Sequence, residues 1–112
     1  MLNKVTDRRV RVRTPCSLRV LCAVQSESGR RQVVGTATNL SRRGVALVLP
    51  CRLARDETIL IRLERLDNGF SCESTASVQH DQPVSSGWMV GCQFHEPLST
   101  VQFCGLLKRA LS

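Results

Sequence analysis

The chain has 112 residues, 42% of them hydrophobic and 22% charged, and its 16 basic residues against 9 acidic ones give a formal net charge of +7. That length holds one domain and excludes a two-domain enzyme, and the composition is that of a folded globular chain, not a disordered one. All but two of the basic residues are arginine, the exceptions being Lys4 and Lys108. This points to an anionic partner, since a guanidinium grips a phosphate or a guanine edge through two parallel bonds where an ammonium offers a point charge.

Taken in chain order, residues 1–14 are polar and rich in arginine. Leu18, Val20, Cys22 and Val24 then alternate with Ser17, Arg19, Ala23 and Gln25, the pattern of a half-buried strand. A turn at Ser26-Glu27-Ser28-Gly29 leads into a second extended run, Arg31 to Thr38, as in a hairpin. The segment Asn39 to Gly44 reads as lying outside regular strand, and a short apolar strand, Val45 to Leu49, follows before Pro50. Ile59, Ile61 and Leu63 make a fourth strand. Asn68-Gly69 predicts a tight hairpin turn into a fifth, carrying Phe70, Cys72, Ser74, Ala76 and Val78. Trp88, Val90, Cys92 and Phe94 line one face of a sixth. The period then changes: Val101, Cys104, Leu107 and Leu111 recur at three and four residues, and Ser99-x-x-Gln102 forms a capping box after Pro97, so a short amphipathic helix with that stripe inward ends the chain. Six antiparallel strands and a C-terminal helix predict a small mainly-β barrel, because closure removes exposed strand edges.

Cys16, Cys22, Cys51, Cys72, Cys92 and Cys104 include no C-x-x-C pair, and His80 and His95, which read as surface residues at strand ends, are not set at zinc-ligand spacing, so neither a metal nor another cofactor is expected. Most of these cysteines replace an apolar residue in the alternation, as buried reduced thiols do. The longest apolar runs, Val20–Val24 and Val45–Leu49, are too short for a signal-peptide core or a membrane span. The expected location is therefore the cytoplasm, for a stand-alone chain or for a cytoplasmic domain of a larger membrane protein. With 4% aromatic residues and no tyrosine, an open base-stacking platform for nucleic acid is not expected. Nor is an enzyme: no Ser/His/Asp or Cys/His set, carboxylate pair or Walker-type loop is visible.

Two segments fall outside the core pattern. In Arg8-Arg9-Val10-Arg11-Val12-Arg13, a short turn brings Arg8, Arg9 and Arg13 to one anion or base. In Asn39-Leu40-Ser41-Arg42-Arg43-Gly44, an amide and a hydroxyl two residues apart face the same side of an extended segment and can meet a base edge. Gly44 permits close backbone approach. Arg42 and Arg43 read as exposed turn residues, with Arg43 a further candidate phosphate contact.

Arg9-x-x-x-Arg13 followed by Asn39-x-Ser41-x-x-Gly44 resembles the two-part signature of the PilZ domain family, bacterial receptors for cyclic di-GMP, and Met89-Val90-Gly91-Cys92-Gln93-Phe94 is similar to that family's last strand. The resemblance covers nearly the whole chain. It implies a six-stranded barrel with a C-terminal helix, residues 15–112, preceded by a ligand-binding arm, residues 1–14. It implies that Arg9 and Arg13, assisted by Arg8, hold phosphates and a guanine edge, while Asn39 and Ser41 bind the base and Gly44 leaves room. Asn39 departs from the aspartate common at its position, which keeps the hydrogen bonds and loses their charge assistance. The implied mechanism is a clamp: a loose Arg-rich arm closes on the barrel with the ligand and relays the signal to an attached domain or a partner protein, such as exopolysaccharide-synthesis or motility machinery. Two rival readings use the same residues differently: a PilZ-like interaction module without ligand, and a small basic nucleic-acid-binding barrel.

Overall fold

Alternation with a period of two puts most of the chain into strands. The structure, a computed structural model, describes residues 14–26 and 29–107. Six strands, β1 (Thr14–Ser26), β2 (Gly29–Leu40), β3 (Gly44–Leu49), β4 (Thr58–Glu64), β5 (Ser71–Val84) and β6 (Gly87–Phe94), precede helix α1 (Thr100–Leu107). They close into an antiparallel barrel in the order β1-β2-β3-β6-β5-β4, with β4 pairing back onto β1. The expected mainly-β barrel with a C-terminal helix is what the chain forms.

The barrel is filled by the alternating set. Val20, Cys22, Ile61, Leu63, Leu47, Ala76, Val78 and Val90 are fully buried and belong to one contiguous core. Each large aliphatic side chain there contributes about 1.5–3 kcal/mol of burial. The opposite mouth from α1 is closed by a polar device. Asp81, inward-facing on β5 with its side chain 4% exposed, pairs with Arg52 Nε at 2.7 Å, and the Arg52 guanidinium lies over the Trp88 ring at 5.3 Å.

Bulges shift the alternation in three places, and two of them shape the site. In β2 the register against β3 slips between Ala37 and Asn39, so Ala37 and Leu40 both point inward and Asn39 faces out. In β5 it slips between Val78 and His80, which makes Gln79 the extra residue and sets His80 opposite Gly91. A third slip, in β1 between Pro15 and Leu18, lies beside the first.

Four sequence-based expectations need correction. Asn39 and Leu40 are the last residues of β2 and Gly44 is the first of β3, so only Ser41 to Arg43 stand outside strand. Both neighbours of β2 reach far enough to pair these residues: Pro15 with Asn39 and Thr14 with Leu40 on one side, Ala46 and Val45 on the other. The turn at Asn68-Gly69 is wider than two residues, because Arg65 donates its N–H to the Phe70 carbonyl at 2.8 Å around Leu66 to Gly69. His80 lies within β5, not at a strand end. On α1 the buried stripe is not Val101 and Cys104, which are exposed, Val101 at 75%. Leu106 is buried, with Phe103 and Leu107 packed partly beneath the helix, because the Phe70 ring occupies the space over Gly105 and draws that face down. The capping box forms as expected: Ser99 and Gln102 exchange side-chain-to-amide bonds at 2.9 and 3.0 Å.

Candidate functional site

The β2–β3 connection is held unusually tightly for a two-residue loop. Ser41 donates its N–H to the Gly44 carbonyl at 2.9 Å, which closes the hairpin around Arg42 and Arg43. Hairpins this short favour turns with positive φ, yet Asp56 is the sole described non-glycine residue with one. The turn is therefore of the other hand, and the Ser41 hydroxyl makes good the bonds it forgoes. Its Oγ accepts the N–H groups of Arg43 at 3.3 Å and Gly44 at 3.1 Å and donates to the Gly44 carbonyl at 3.3 Å. Ser41 is 7% exposed.

The same turn is tied to the chain beyond β6. Phe94 donates its N–H to the Arg43 carbonyl at 2.8 Å, and Leu98 donates to the Arg42 carbonyl at 2.7 Å while its own carbonyl accepts Arg42 Nε at 2.8 Å. Arg42 is thus occupied. The exposed side chain of Arg43 has no hydrogen-bond or salt-bridge partner among the described residues. At Gly44 a Cβ would stand 2.5 Å from the Cys92 carbonyl oxygen, so its lack of a side chain lets β3 and β6 approach.

Outside the barrel, beside this turn, is an open cleft of about 280 Å³. Ser41, Arg43 and Gly44 line one side, and Gln79, His80, Gly91, Cys92 and Gln93 line the other. Such a volume is just below the roughly 300–1,000 Å³ of pockets that enclose a whole drug-sized molecule, so it suits part of a larger ligand. Cys92 borders the cleft with its backbone, since its thiol belongs to the core, where burial, reinforced by the neighbouring Cys22, pushes it up to about 12. Asn39, half-buried and facing out, stands opposite Ala46 on the next strand.

The structure therefore brings Asn39, Ser41, Arg43 and Gly44 to one end of the barrel. Arg8, Arg9 and Arg13 lie outside the described residues. Thr14, however, pairs with Leu40, so the chain enters the barrel one residue from Ser41. Trp88 is opposite Leu49, five residues along β6 from Gln93, roughly 17 Å away, and is covered by Arg52. It has no part in this cleft. Gln79, His80, Gly91 and Gln93 were not singled out as site residues in the sequence. The one signal in the sequence is the end of the apolar alternation at Val78; that the strand continues to Val84 is seen only in the structure.

A family model, the PilZ domain, matches residues 7–112. Among solved structures, the inhibitor of motility of Bacillus subtilis (MotI/DgrA) superposes with a TM-score of 0.67 at 20% identity, over 85% of this chain and 46% of that one. The chain thus spans about half the length of that protein. The PilZ domain of YcgR from Escherichia coli, described with c-di-GMP, superposes with a TM-score of 0.58 at 14% identity, over 84% of this chain and 82% of that one. No curated protein matches the chain in sequence.

Proposed function

This chain belongs to the PilZ domain family, and from that premise we propose that it is a receptor for cyclic di-GMP which binds the dinucleotide at the β2–β3 turn. One observation carries the reading. The Asn39-x-Ser41-x-x-Gly44 turn is fixed by its own hydrogen bonds, beside an open cleft, with the Arg43 guanidinium uncommitted. A rigid polar turn next to a free cation suits a ligand that carries two phosphodiester charges and two guanines. Likeness in fold to a PilZ domain described with c-di-GMP agrees with it.

In this reading Arg9 and Arg13, with Arg8, take the phosphates and a guanine edge, and Asn39 presents its amide to the other side of the ligand. The pairing of Thr14 with Leu40 supports that geometry, since a short segment then connects Arg13 to the turn. Ligand binding draws the arm, residues 1–14, against the barrel, residues 15–112. This changes the surface offered to an attached domain or a protein partner, the two-state element that a signalling receptor needs. The role is binding and relay in the cytoplasm, with no catalytic step and no metal. A motility or exopolysaccharide system is the proposed downstream context, the former in keeping with the inhibitor of motility whose fold the chain shares.

Isothermal titration with cyclic di-GMP at physiological salt, with GTP and a short single-stranded oligonucleotide as competitors, tests the proposal. The expected result is saturable binding that neither competitor displaces. No heat of binding overturns it, and displacement by the oligonucleotide would favour a nucleic-acid surface.

A further inference from the structure

Across the outer face of the barrel, one row of paired residues crosses four strands: Asn39 on β2 opposite Ala46 on β3, Ala46 opposite Gly91 on β6, and Gly91 opposite His80 on β5. The two middle positions have the smallest side chains available, so the row is a trough with Asn39 at one lip and His80 at the other. The His80 ring fills the space where a Gly91 Cβ would stand, so its imidazole rests on bare backbone. His80 is nonetheless exposed and lines the cleft. It makes no hydrogen bond, ion pair or ring contact among the described residues.

We propose that the imidazole of His80 is the stacking wall of this site, covering one face of a guanine of the bound cyclic dinucleotide. The inference rests on the receptor reading above and deepens it. A guanine is a large flat surface that gains most from a flat neighbour, either an aromatic ring or a guanidinium. The other described aromatic side chains are engaged elsewhere: Phe94 in the core, Phe70 over Gly105, Phe103 against the core beneath α1, Trp88 under Arg52 at the opposite mouth, and His95 in a hydrogen bond with the Ser77 hydroxyl at 2.8 Å. His80 and Arg43 are the flat groups that remain at the cleft. The bulge at Gln79 serves the same end. Without it the strand would set Gln79, not His80, opposite Gly91. With it, the exposed amides of Gln79 and Gln93 stand beside the ring, where they can meet the edge of a stacked base.

The test uses the whole chain titrated with cyclic di-GMP, by calorimetry and by NMR of the histidine ring protons. Ring current from a stacked guanine should shift the His80 Cδ2 and Cε1 protons upfield at saturation. H80A should bind about 10-fold more weakly or worse. H80F and H80W, which keep a flat face, should stay close to wild type, whereas H80Q, which keeps polarity alone, should fall with H80A. Unchanged melting curves of these variants would separate the effect from folding, and if H80A itself fails to fold, the comparison of H80F with H80Q decides. Wild-type affinity in H80A and H80Q, or unmoved His80 signals in a saturated sample, overturns the assignment. In that case full binding by H80A together with loss in R43A leaves the receptor reading standing. Absence of binding by the wild-type chain overturns both.

Discussion

The Ser41 hydroxyl accepts the amide of Gly44, three residues on, at 3.1 Å, and this bond substitutes for one that the β2–β3 turn does not make through its own backbone. The serine of the motif is therefore first a folding residue. S41A leaves the half-buried Arg43 amide and the buried Gly44 amide without their acceptor, at a cost of roughly 1–2 kcal/mol. Thermal melts should show a drop of several degrees, with S41T recovering most of it. An unchanged melting temperature with weakened ligand binding would instead make the hydroxyl a direct ligand contact.

In the proposed binding mode Asn39 is an uncharged acceptor. N39D places a carboxylate at the same outward, half-buried position, and its bonds to guanine N–H groups become charge-assisted, worth about 1 kcal/mol more. Cyclic di-GMP affinity should rise about fivefold by calorimetry at pH 7. A fall in affinity would mean that the amide donates to the ligand instead of accepting from it.

Cys22 and Cys92 lie in the barrel core, and burial, reinforced by Cys51 for the first and by Cys22 for the second, pushes both up to about 12. An unfolded thiol ionises near 8.5, so these two acids have a raised pKa in the folded state. Their contribution to stability is complete below that pH and is lost as pH climbs from about 8.5 towards 12, with a slope of roughly 1.4 kcal/mol per pH unit for each thiol. The chain has no tyrosine and two lysines, so little else titrates in that window apart from the other cysteines. Urea unfolding at pH 8, 9 and 10 should show the decline, and C92A should lessen its slope. A flat profile in the wild type contradicts the burial of these thiols.

The Arg52–Asp81 pair at the far mouth is lopsided: the arginine side chain is 66% exposed and the aspartate 4%. R52A strands a nearly buried carboxylate, whereas D81N leaves the arginine in water over Trp88 with an uncharged neighbour. Denaturation should therefore rank R52A as the costlier change, by about 2 kcal/mol against wild type. Equal effects would mean that the pair acts as an exposed one.

Strand content was legible because a barrel wall imposes a strict inside-outside alternation, which Leu18 to Val24 and Ile59 to Leu63 display without a break. The capping box at Ser99 and Gln102 was legible for the same local reason: both partners lie within one turn of each other. The helix stripe was misread because Val101 and Cys104 keep the same spacing as Phe103 and Leu106, and only the position of Phe70 chooses between them.

The motif itself divides along this line. Arginine bias, the order of Arg9, Arg13, Asn39, Ser41 and Gly44, and the period-two pattern are properties of the string, and they were sufficient to indicate the family and the barrel. Local order cannot say how far a strand runs or where it slips, since both depend on what its neighbours offer to pair with. The reach of Thr14 and Pro15 put Asn39 in a strand, and the bulge at Gln79 brought His80 onto Gly91 from a segment some forty residues away from the turn. Those placements are set by hydrogen-bond register between strands distant in sequence, and tertiary structure alone decides it.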